Sequence, residues 1–152
     1  MKDLRLILWE IDKHLQRLLY AKEKIESWGE LSPDFLKDNE KVETIDSFVL
    51  RFSKMQDSMG EKLFPQTLSS LGEEVRNKPF IDILNRLEQL ELLDAKEWKK
   101  LRELRNLLTH TYPWEEEELI DNLREALKAS ERLKEIYEKF KEYLAKRGLP
   151  ER

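Results

Sequence analysis

Apolar residues return every three to four positions over most of the chain, and each run of that period marks a helix. Leu4, Leu8, Ile11, Leu15, Leu18, Leu19 and Ile25 form one amphipathic stripe, closed by Trp28-Gly29. Ser32-Pro33 is a helix-start pair, because proline is tolerated at the first helical position. A second long helix is expected from it through Val42, Ile45, Val49, Phe52 and Met59. Pro65 lacks a backbone donor and its ring crowds the preceding turn, so Phe64-Pro65 should kink or break that helix. A short continuation then ends near Gly72, and "VRNKPF" reads as a loop. Pro79 opens a third helix through Phe80, Ile83, Leu84, Leu87 and Leu90, with Leu93 at its margin.

Asp94 and Glu97 stand three apart, as an N-cap and its capping-box partner do, and they start a fourth helix at about Ala95. Its core stripe is Leu101, Leu104 and Leu108. Pro113 disfavours helical geometry at Tyr112, so the helix should stop near His110 or Thr111. Glu115 to Glu118 place four carboxylates where the partial positive charge of a helix N-terminus stabilises them. The last helix then runs through Leu119, Leu123, Leu127, Leu133, Tyr137, Phe140 and Leu144 until Gly148 and Pro150 close it. The pattern predicts an all-α, antiparallel bundle of about five helices with short connections, in a single domain spanning 1–152.

Composition narrows the chemistry. Charged and hydrophobic residues each make up 39%, with four Gly and five Pro, which favours long helices over a turn-rich sheet. No stretch approaches the roughly 20 apolar residues that span a bilayer, and the opening Met-Lys-Asp-Leu-Arg lacks a signal-peptide cleavage site. A cytoplasmic protein without membrane contact is expected. The absence of cysteine excludes disulfides, thiolate metal sites and cysteine nucleophiles, and two histidines cannot build a standard zinc site alone. His14, beside Ile11 and Leu15 with no second ligand-type residue nearby, reads as structural or exposed. The helix dipole accounts for the four-Glu run, so neither metal nor cofactor is expected.

A net charge of -4 argues against a surface that grips nucleic acid everywhere. It leaves one local basic segment, "KEWKKLRELR" (96–105), where Lys96, Lys99, Lys100 and Arg102 are candidates for RNA phosphate contacts. The same spacing also suits a solvated helix face with i,i+4 pairs. That segment runs into "RNLLTHTYP" (105–113), which gathers an arginine, an asparagine, a histidine and a tyrosine at a helix end.

These side chains suit phosphate chemistry without a metal. Arg105 offers a planar fork of donors for phosphate or for charge developing at phosphorus, His110 exchanges protons near neutral pH, and Asn106 can orient either one. An RNA 2′-hydroxyl would supply the nucleophile and leave a cyclic phosphate. Arg105 and His110 are five residues apart and do not share a helical face, so they converge only where the helix end unwinds or Arg105 reaches round. Pro113 permits that unwinding. One histidine is sparse equipment for both acid and base, so two copies facing each other across a two-fold axis would make a more competent site. The alternative is a helix-end histidine favoured by the dipole and an arginine that caps carbonyls or pairs with glutamate.

"RNLLTHTY" resembles the HEPN superfamily, whose ribonuclease members carry an arginine, usually a polar residue after it, and a histidine four to six residues on. More narrowly it is similar to the R-x4-H-x-Y form of the HepT toxins, with Tyr112 in the last place. The resemblance covers essentially the whole chain and implies a homodimeric, metal-independent endoribonuclease in which Arg105, Asn106 and His110 are catalytic. It also implies an MntA-like nucleotidyltransferase antitoxin that transfers AMP to Tyr112. The added bulk and charge would block the RNA site. Related helical subunits of nucleotidyltransferases have a similar fold, so a non-catalytic dimeric partner is the other function the resemblance implies.

Overall fold

The computed structural model describes residues 3–151. It is an all-α bundle, with α1 (Leu4–Glu26), α2 (Asn39–Ser58), α3 (Phe64–Ser70), α4 (Phe80–Gln89), α5 (Ala95–His110) and α6 (Glu116–Ala145). Among the described residues, α2 and α3 form one continuous rod through the π turn at Met59–Leu63, so the bundle has five helices, as the hydrophobic period predicts. No helix among them is long and apolar enough to cross a membrane.

Side-chain bridges fix the directions. Asp12 on α1 meets Tyr137 and Lys141 on α6, while Lys22, further along α1, meets Glu131, earlier on α6. These two helices are therefore antiparallel. Glu10 to Lys62 and His14 to Arg51 give α1 and the α2 rod the same opposed sense. Glu97 to Arg132 and Thr111 to Asn122 do so for α5 and α6. Between the helices lies a continuous core in which Phe64 packs on Trp98 and Phe140.

Three local expectations need correction. Ser32-Pro33 starts only a 3₁₀ turn (Pro33–Lys37), and α2 begins instead at Asn39, where the Asp38 carboxylate accepts from the amides of Glu40 and Lys41. Pro65 does not break the rod. A π turn at Met59–Leu63 precedes it, and the Phe64 amide bonds to Met59 five residues back. This wider turn takes up the register change where the prolyl ring would crowd a regular helix. Asp94 caps α5 through the amides of Lys96 and Glu97, but Glu97 does not complete a capping box, because it is drawn to Arg132 at 2.7 Å. Glu88 accepts from the Ala95 amide.

Candidate functional site

Helix α5 stays regular through His110, and the Thr111 amide closes its last turn on the Leu107 carbonyl. The unwinding that Pro113 permits does not occur: the helix holds through His110 and the backbone becomes extended at Thr111, one residue before the position that Pro113 restricts. Arg105 and His110 therefore remain on different faces. Arg105 turns toward α2, its Nη2 pairing with Asp57 Oδ2 at 3.2 Å, and Nη1 reaches Asn106 Oδ1 at 3.3 Å. Arg102 takes the other Asp57 oxygen at 2.9 Å. Burial raises the Asp57 carboxyl, but the Arg102 hydrogen bond and the charges of Arg105 and Arg102 outweigh it and hold Asp57 below its ordinary value.

Asp57 is the site residue that sequence reasoning missed. Arg102 and Arg105, one turn apart on α5, carry the signal that a carboxylate should lie opposite, but nothing in their spacing selects a residue 45 positions away from Arg102. Arg102 is thereby paired with Asp57 while it still lines the cleft beside Lys99. The rest of the basic segment is divided by the helix. Lys99 lines a cleft of about 530 Å³ with Arg102, Asn106, Gln56, Trp98 and Phe80. Lys100 lies on the side facing Lys128 and Arg132, and Lys96 is exposed at the start of α5.

His110 is exposed, and no group among the described residues bonds to its ring. It lines a second opening of about 540 Å³ with Asn106, Thr111, Glu103, Glu115 and Glu118. Asn106 lines both openings, whereas Arg105 lines neither and reaches the first only through its bonds to Asp57 and Asn106. The carboxylates make the His110 opening acidic, and a hydrogen bond shared with Glu115 lifts the Glu118 carboxyl above its ordinary value. A phosphate arriving there needs cationic compensation from elsewhere.

Tyr112 lies beyond the helix in a turn closed by the Glu115 amide on the Tyr112 carbonyl at 2.9 Å. Its ring stacks on Trp114, with centroids 4.6 Å apart and planes 6° from parallel. Both are largely exposed, Tyr112 at 57% and Trp114 at 73%. His14 is half-buried and accepts from Arg51 Nη1 at 3.3 Å, in keeping with a structural role. No family model, curated protein or solved structure matches the chain.

Proposed function

We propose that the chain is a HepT-like toxin of the HEPN superfamily, a metal-independent endoribonuclease that acts as a homodimer. Arg105 stabilises charge at phosphorus, Asn106 positions it, and His110 exchanges the protons. The observation that carries this reading is the state of the motif. Arg105 is held at a defined angle by Asp57 and Asn106, with its buried Nε unpaired, while His110 further along stands exposed, both without a partner among the described residues. Because one chain keeps Arg105 and His110 on separate faces, the reading requires a second copy to bring a motif opposite the first. Tyr112 is the point of control, accepting AMP from an MntA-like nucleotidyltransferase antitoxin. The test is cleavage of single-stranded RNA by the purified chain. An inactive parent, or a His110→Ala variant as active as the parent, defeats the reading. Intact mass after co-expression with the nucleotidyltransferase should show AMP on the parent and none on Tyr112→Phe.

One observation favours the second reading, a non-catalytic dimeric partner of a minimal nucleotidyltransferase. Asp57 pairs with both Arg102 and Arg105 and offsets one of their two positive charges, which leaves less positive charge for RNA. This reading expects complex formation unaffected by His110→Ala and no growth defect when the chain is expressed alone.

A further inference from the structure

The strongest concentration of unpaired positive charge and exposed aromatic surface lies on α1, away from the motif. Leu6, Trp9, Lys13, Gln16, Arg17 and Tyr20 fall within about 100° of one another on the helical wheel, so they share one face. Trp9 is 58% exposed and Tyr20 71%, and they stand about 16 Å apart along the axis. Between them, and from α2 alongside, come Lys13, Arg17 and Arg51, lining a groove of about 600 Å³. Lys13 and Arg17 have no carboxylate partner among the described residues, and Arg51 meets only the neutral side of His14. The acidic member of the groove, Glu10, is engaged by Lys62 at 2.8 Å. Lys13 leans toward Trp9, with Nζ 5.8 Å from the ring centroid.

Large aromatic rings left in water between unpaired cations form an arrangement that binds single strands, in which rings stack bases and cations track phosphates. A second copy of the chain suits this face poorly. Across a two-fold axis the same cations would meet themselves, and no carboxylate of the groove is free to separate them. We propose that the α1 face binds single-stranded RNA, with Trp9 and Tyr20 stacking bases and Lys13, Arg17 and Arg51 contacting phosphates. The substrate class comes from the nuclease reading, but the face is a separate surface.

The test uses a fluorescently labelled uridine 12-mer and the full chain carrying His110→Ala, so that binding is read without cleavage. Anisotropy should show binding that weakens with salt. Trp9→Ala should weaken it about tenfold. Lys13→Ala with Arg17→Ala should reduce the salt slope by about 1.4, at roughly 0.7 for each phosphate left without its cation. All three positions are exposed, so these variants keep the fold. Unchanged affinity and slope in these variants overturn the proposal, as does loss of the dimer on Trp9→Ala with RNA affinity intact. A parent chain that binds RNA through this face but never cuts it defeats the nuclease reading alone. Cleavage that persists while the variants bind RNA as the parent does defeats the face alone.

Discussion

Tyr137 reaches from α6 to α1 and finds two acceptors, whereas Gln56 reaches from α2 to α5 and leaves half its amide unpaired. The Tyr137 hydroxyl donates to Asp12 at 2.7 Å and shares that contact with the Leu8 carbonyl at 3.0 Å. Lys141 adds a bond to the same carboxylate. Burial first, and then the hydrogen bond to Asp12, push the phenol well above its ordinary pKa, so it stays a donor throughout the working range. Gln56 Nε2 donates to the Leu101 carbonyl at 3.2 Å, which orients the amide and leaves Oε1 without a donor. Every buried side-chain polar atom without a partner among the described residues belongs to α2 or α5: on Ser53, Gln56, Glu97, Trp98 and Arg105. Each such group costs roughly 1–3 kcal/mol. The α1–α6 seam is finished for stability, and the α2–α5 seam, which carries Arg105 of the motif, is left incomplete; Glu97 is the orphan that faces α6 instead.

The sharpest way to break that division is to ask the motif for stability. His110→Ala should lower RNA cleavage by about 10²- to 10⁴-fold, the ordinary worth of a general acid or base. It should leave the thermal midpoint unchanged, since the ring is exposed and has no bonding partner among the described residues. Cleavage assays and a circular-dichroism melt on the same preparation read both. A lowered melt would place His110 among the groups that hold the fold and erase the contrast.

Tyr137→Phe asks the opposite question of the finished seam. It removes one hydroxyl, leaves Asp12 and the Leu8 carbonyl without their buried donor, and keeps the ring packing. The expected loss is about 1–2 kcal/mol in urea unfolding, with cleavage untouched. A change in cleavage without a change in stability would reverse the roles of the two seams.

The helical period was enough to place α1, the stop of α5 at His110 and the start of α6 within a residue or so, because caps and prolines act locally. It overextended α2 toward Ser32 because a proline at a helix start is equally at home in a 3₁₀ turn. It also expected a kink or break at Pro65, and the helix instead continues there through a π turn, since no single-residue signal announces a wide turn. The site divides in the same way. The motif was legible as a string, but Asp57, which decides where Arg105 points, is brought in by the packing of α2 on α5. The basic segment looked continuous in sequence, and the helix separates Lys99 from Lys100 by turning about 100° between them.

Gln56→Met tests whether the incomplete seam is a cost. It keeps the volume, removes the orphan acceptor, and surrenders one bond to Leu101, whose carbonyl retains its place in the helix ladder. Stability should stay within about 1 kcal/mol of the parent, on the upward side. A loss as large as that of Tyr137→Phe would show that Gln56 is as well satisfied as Tyr137.

The smallest effects come from pH, and they separate the seams by where each titrates. His14, between α1 and α2, is held below its ordinary value of 6.5, first by burial and then by the Arg51 charge. The unfolded chain therefore takes up that proton more readily, so the His14 contribution is present above 6.5 and lost as pH falls below it. Asp57 is also held below its ordinary value, 3.8, so its contribution is present above 3.8 and is lost only in stronger acid. In urea unfolding against pH, His14→Gln should differ from the parent in slope between about pH 7 and 5. Asp57→Asn should differ only below about pH 4, where protonation releases Arg105 and Arg102 together. If Asp57→Asn instead changes the slope near neutrality, the two arginines do not hold that carboxylate ionised, and the α2–α5 seam is not organised around it.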